Sequence, residues 1–181
     1  MSTATVNVGT KWVLDTTHSE IHFKVKHLMI SNVKGEFRKF SAEVEGADFS
    51  TARIRATIDA GSVFTNDEKR DGHLQSADFF DVANYPEIGF EASSFRQKNG
   101  SDYVLTGILT IKGVSKEVTF DAEFGGINKD PWGNEKAGFS LNGKINRKDW
   151  GLNWNAALET GGVLVSEEVV ISAEIQFAKQ A

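Results

Sequence analysis

TNDEKRDGHLQSADFFDVANYP, from Thr65 to Pro86, is the one stretch of this chain written like a helix; the sequence on either side of it is written as short alternating strands. One polar helix with a two-phenylalanine tail, set among amphipathic strands, predicts a closed antiparallel sheet with a plug or lid, and a closed sheet can enclose a ligand. Thr65 has a hydroxyl suited to capping and Glu68 follows three residues later, so Thr65-Asn66-Asp67-Glu68 predicts a capping box that opens a short helical segment near residues 66–84. Within it Arg70, His73 and Leu74 fall at i, i+3 and i+4 and share a face. Arg70 brings a permanent charge with five donors, His73 an imidazole that can give or take a proton, and Asp71 and Asp81 are candidate partners for either. Two roles suit that cluster: a polar headgroup site at a cavity mouth, or a network that fastens the helix to the sheet. Phe79 and Phe80 would close one barrel end or pack in the core.

Outward from the helix the period is two. Ile21, Phe23 and Val25 alternate with His22, Lys24 and Lys26; Ile54, Ala56 and Ile58 alternate with Arg55, Thr57 and Asp59. The same pattern recurs at Ile88, Phe90 and Ala92, at Val118 to Phe124, at Phe139 to Ile145 and at Val169 to Phe177. Strands with one apolar and one polar face belong to a sheet with one wet face, and about eight of them in a meander most simply close as an extended antiparallel barrel; a two-sheet sandwich would carry the same pattern. Asn99-Gly100 and Lys112-Gly113 mark hairpin turns. The reading is therefore all-β, with neighbours in sequence adjacent in the sheet. With two prolines in 181 residues and no linker composition, one barrel domain spans 12–178, preceded by an N-terminal tail over 1–11.

Composition narrows the chemistry. Thirteen Phe and four Trp against two Tyr is an apolar aromatic supply that must be buried somewhere. A net charge of −5 with scattered Lys and Arg offers no basic surface for a phosphate backbone, so no nucleic acid is expected. Zero Cys excludes disulfides and thiolate sites. The opening residues MSTATVNVGTKW lack a basic and an apolar region of an export signal, which predicts a cytoplasmic protein, and no run is long and apolar enough to span a membrane as a helix. His18, His22, His27 and His73 would suffice for a tetrahedral metal, but their spacing argues against one. No GxSxG elbow, Walker loop, HExxH or dinucleotide fingerprint is present, and Gly125-Gly126 and Gly161-Gly162 read as loop glycines. No catalytic residue, metal or cofactor is expected.

The motifs themselves carry a resemblance from Trp12 to Phe177. DTTHSEIHF at Asp15–Phe23, VKH at 25–27, Gly35-Glu36-Phe37 with Phe40, and Ser62-Val63 with Thr65 lead to RDGHL at 70–74, SADFFD at 76–81, Tyr85-Pro86 and Phe90. GILTIKG at 107–113, Val118-Thr119, DPWG at 130–133, Ala137-Gly138-Phe139, RKDWG at 147–151 and Val169-Val170-Ile171 complete the series. In this order and spacing the chain resembles the YceI-like family, the lipocalin-like polyisoprenoid-binding proteins. The resemblance implies a long apolar lumen that holds a polyisoprenoid, such as an isoprenoid quinone, or a similar long-chain amphiphile, with a carrier or storage role and no enzymatic step. Placing the apolar strand face inward gives Phe23, Val25, Phe37, Ile58, Phe90, Leu109, Phe120, Phe139 and Ile145 as lumen candidates, joined by Phe79, Phe80 and Trp150. Trp150 stands where the family commonly has a smaller aromatic, so its ring would reshape the lumen. Many family members carry an export signal that these opening residues lack. Arg70, Asp71 and His73 are carried over as motif positions, for headgroup contact or helix anchoring. The alternatives are an enzyme acting on a lipid headgroup through that cluster, and a barrel filled by its own side chains. Exposed strand edges would permit a homodimer.

Overall fold

In the computed structural model, which describes residues 10–156, 158 and 164–180, the alternating segments become eleven strands in one antiparallel sheet. They are β1 (Lys11–Leu14), β2 (Glu20–His27), β3 (Ser31–Phe37), β4 (Phe40–Glu45), β5 (Arg53–Asp59), β6 (Val63–Phe64), β7 (Glu87–Asn99), β8 (Asp102–Ile111), β9 (Val114–Lys129), β10 (Glu135–Asn146) and β11 (Val165–Lys179). Sheet order runs β1-β4-β5-β7-β8-β9-β10-β11-β2-β3-β6, and β1 also pairs with β11. That last pairing closes the ring, with Trp12 opposite Lys179 and Leu14 opposite Phe177 on one side and Trp12 opposite Val44 on the other.

Eight staves form the wall, as the alternation predicts, because three of them are broken strands. β1 and β2 both run along β11 and are separated by a 3-10 turn over Thr16–His18. β3 and β4 are separated by Arg38-Lys39, and β5 and β6 by a turn over Ala60–Ser62. Asp15 shapes the first break. Its carboxylate accepts from Thr17 N and Oγ1 and from Lys136 Nζ of β10 at 2.9 Å, with His18 Nδ1 also at 2.9 Å. Burial alone would raise its pKa; the Thr17, Lys136 and His18 hydrogen bonds outweigh that and hold it well below the carboxylate range.

The Lys112-Gly113 turn has positive φ at both central residues, and Gly100 has φ 53°, so both expected hairpins are present. Lys11, assigned to the tail from the sequence, is instead the first residue of β1; residues 1–9 and Gly161-Gly162 lie outside the described residues. No helix among the described residues is long and apolar enough to cross a membrane.

The helix is shorter than its sequence signal. α1 (Glu68–Gln75) is capped by Asp67, whose side chain accepts from Arg70 N, and not by Thr65. Asn66 at φ 63° turns the chain, which starts the helix two residues later than a Thr65 cap would. Residues 76–84 fold as successive turns, with Phe80 N donating to Leu74 O and Val82 N to Gln75 O. Together α1 and these turns lie across one end of the barrel, between β6 and β7.

Candidate functional site: a lumen with two unlike ends

Within the barrel is a cavity of about 610 Å³, in the range of about 300 to 1,000 Å³ usual for small-molecule sites. Eleven lumen candidates from the sequence line it: Phe23, Val25, Phe37, Ile58, Phe79, Phe80, Phe90, Leu109, Phe120, Phe139 and Ile145. Trp150 does not. It is 2 % exposed, packed in the wall with its indole Nε1 donating to Leu109 O at 2.9 Å. It ends a 3-10 turn, Arg147–Trp150, beyond β10, where strand alternation no longer says which way a side chain points.

The inward rings leave room because three of them lie against glycines. Phe23 on β2 lies over Gly35 of β3, Phe90 on β7 over Gly107 of β8, and Phe120 on β9 over Gly143 of β10. A Cβ at those glycines would sit 2.2, 2.5 and 2.4 Å from the respective ring, far inside van der Waals contact. Each phenylalanine can therefore flatten onto the wall instead of standing across the bore, an arrangement also known to strengthen glycine-bearing strands.

The two ends of the cavity differ in chemistry. At the base Phe49, Phe95, Phe139 and Phe177 form the floor, with Phe139 centred 4.9 to 6.0 Å from Phe49, Phe95, Phe124 and Phe177 in tilted or edge-on contacts. Trp12 packs behind Phe49 at 5.3 Å. At the helix end the lining turns polar, through Thr65, Arg70, His73 and Arg147. Arg70 donates from Nε to Thr65 Oγ1 at 2.7 Å and from Nη2 to Thr65 O at 2.6 Å. Thr65, 6 % exposed, in turn donates through N and Oγ1 to Asp71 Oδ1. Asp71 does not line the cavity; it anchors α1 to the end of β6.

His73 pairs with neither Asp71 nor Asp81, the partners expected from sequence. Its Nε2 lies 2.8 Å from Asp78 Oδ2, and its ring stands edge-on to Trp154 at 4.6 Å and to Phe79 at 5.1 Å. Asp81 instead accepts from Asn84. The turn residues 76–84 put Asp78 back over the helix face, a reversal that a continuous helix would not make. Of the other histidines, His18 lies against Asp15 and His22 against Glu20, while His27 lines the cavity.

Arg147 and Trp154 are lining residues that sequence reasoning missed. Arg147 is 3 % exposed and donates to four carbonyls: Nε to Ser166 O, Nη1 to Leu152 O and Trp154 O, and Nη2 to Val165 O. Burial lowers its pKa from the usual guanidinium value, partly offset by Glu167. Carbonyl dipoles hold this buried cation, and through it the chain at 152–154 is tied to the start of β11. The signal in the sequence was the RKDWG motif itself, whose arginine alone carries five donors in a planar fork, enough to meet several carbonyls at once.

These features have counterparts in known proteins. The sequence profile of the YceI-like domain matches residues 12–177. A UPF0312 protein of Staphylococcus aureus (strain N315) is 43% identical over 172 residues, covering 93% of this chain and 98% of the relative. Among solved structures, Burkholderia cenocepacia BcnA is similar with a TM-score of 0.77 at 25% identity, over 90% of this chain and 98% of that one. The Campylobacter jejuni YceI protein matches with a TM-score of 0.74 at 37% identity, over 87% and 91%. A polyisoprenoid binding domain from Saccharophagus degradans shares the fold, with a TM-score of 0.67 at 15% identity, over 93% and 98%.

Proposed function

Because this chain belongs to the YceI-like domain family, whose structural neighbours are barrels of the same build, we propose that it is a non-enzymatic carrier or store for a polyisoprenoid or similar long-chain amphiphile. The observation that carries the reading is the bore itself. It is walled by aliphatic side chains and flattened phenylalanine rings, floored by aromatics, and lined at the helix end by Thr65, Arg70, His73 and Arg147. A branched apolar chain, such as the tail of an isoprenoid quinone, suits that shape. The neighbour from Saccharophagus degradans, alike in fold, is a polyisoprenoid binding domain. At about 0.8 kcal/mol per buried CH₂, one five-carbon isoprene unit gains on the order of 3 to 4 kcal/mol before ordering costs. A few units in the bore would offset the loss of freedom on binding.

The polar end supports this reading over catalysis. Arg70, Thr65 and Asp71 form a chain of hydrogen bonds that fastens α1, and His73 is held by Asp78 and two aromatic rings. Arg70 and His73 still face the cavity and suit contact with a carbonyl or phosphate headgroup.

The test is to purify the protein natively, extract it with organic solvent and identify stoichiometric lipid by mass spectrometry. One long isoprenoid near one per chain is the expected result. An empty protein that also fails to take up added isoprenoid would remove the proposal. Ile58→Trp should block uptake while the barrel stays folded; turnover of an extracted lipid that vanishes in His73→Ala would favour an enzyme instead.

A further inference from the structure

The β2–β3 hairpin ends the barrel wall at the helix-end rim of the cavity: His27 lines the lumen, and Leu28 N donates to the carbonyl of Leu164, another lining residue. Its tip is Leu28-Met29-Ile30, exposed by 40, 56 and 84 %. Leu28 and Met29 both have positive φ, 52° and 61°. A two-residue turn of that shape is usually Asn-Gly, and bulky side chains in it are strained. Leucine and methionine here therefore work against turn stability while presenting three apolar side chains to water. Such strain points to a use.

The outer face just below the tip is cationic. Lys24 stands directly opposite Lys34, and Lys26 opposite Asn32; like charges facing each other across a ladder are destabilising. Among the described residues the lysines that pair with a carboxylate are Lys11, Lys136, Lys144, Lys148 and Lys179. Lys24, Lys26 and Lys34 do not, although the chain as a whole is acidic at −5. The neighbouring acids on β11, Glu167 and Glu168, are already paired with Lys148 and Lys144.

We propose that this hairpin is a membrane-docking finger. Leu28, Met29 and Ile30 insert at the boundary between headgroups and acyl chains, Lys24, Lys26 and Lys34 rest against anionic headgroups, and the cavity rim is thereby brought to the bilayer surface. The occupant is an anionic lipid bilayer, since an apolar tip above an uncompensated cationic collar matches the depth profile of polarity and charge in such a membrane. This goes beyond the carrier reading and does not depend on which cargo the lumen takes.

The experiment is co-sedimentation of the full chain with vesicles of phosphatidylcholine alone and of phosphatidylcholine mixed equally with phosphatidylglycerol, all free of isoprenoid so that cargo uptake is scored separately. Binding is expected to favour the anionic vesicles and to weaken with salt. The triple variant Leu28→Asn, Met29→Gly, Ile30→Thr installs a favourable turn, so it should fold at least as stably by thermal unfolding yet bind more than about tenfold more weakly. Lys24→Gln with Lys34→Gln should lose on the order of tenfold on anionic vesicles alone. Trp132→Ser, which removes an 83 % exposed side chain from the β9–β10 loop at the opposite end, should bind as before. The proposal is overturned if the wild-type chain ignores both vesicles, if the tip variant binds normally, or if only Trp132→Ser loses binding. A dimer by analytical ultracentrifugation that the tip variant dissociates would also overturn it, by making a second copy the occupant.

Discussion

The base and the mouth of this barrel are closed by opposite physics. At the base, Phe139 and six aromatic side chains around it exclude water by packing ring against ring. At the mouth, closure rests on directed hydrogen bonds: Arg147 to four carbonyls, Arg70 to Thr65, Thr65 to Asp71. Packing is indifferent to small rotations and costly to open, whereas hydrogen bonds to loop carbonyls can be exchanged for water when the loop moves. The base is thus the end that packing holds shut, and the mouth the end held by bonds that water can replace.

The comparison breaks most sharply at Phe139. Phe139→Ala leaves a cavity among four neighbouring rings, and the expected loss is about 3 to 5 kcal/mol in urea denaturation; a loss near zero would mean that the base is not the stable end. Arg147→Met keeps the apolar stem but takes the arginine's donors from the carbonyls of Leu152, Trp154, Val165 and Ser166, of which Val165 O retains Asn155 Nδ2. It should cost about 1 to 3 kcal/mol, with amide hydrogen exchange rising at 147–156 and unchanged in β7–β10. Asp15→Asn, at the broken stave near the base, removes the charge that Lys136 and His18 meet and should lower stability by about 1 to 2 kcal/mol. The same carboxylate predicts a pH dependence. Its folded pKa is depressed, so its contribution is complete above the unfolded value of about 3.9 and is lost as pH falls below that toward the folded value; acid titration of Asp15→Asn should lack that share of the decline. The smallest effect belongs to the mouth's outer pair, half-buried His73 and exposed Asp78. Asp78→Asn should change stability by no more than about 0.5 kcal/mol.

How far each end was legible in the sequence follows from the same contrast. The wall was readable because alternation is local: the inward parity of Phe23, Phe90, Phe120 and Phe139 is set by their own strands, and a ring of eight follows from their number and order. The breaks at Thr16–His18, Arg38-Lys39 and Ala60–Ser62 were not, since each depends on partners far along the chain, as Asp15 depends on Lys136. In TNDE both Thr65 and Asp67 are good capping residues, and only the αL turn at Asn66 decides between them. Arg147, Trp150 and Trp154 lie just beyond a strand, where no period assigns a face, so one tryptophan was placed in the lumen wrongly and the other was missed.

Gly35, Gly107 and Gly143 give the barrel a property that its lining residues alone do not explain. The width of the bore is written on the stave next to each ring, not on the ring itself, so a methyl group added at Gly143 would swing Phe120 inward without altering any residue that lines the cavity. Three such positions amount to separate throttles. Relatives that kept every phenylalanine would then still differ in the girth of the bore.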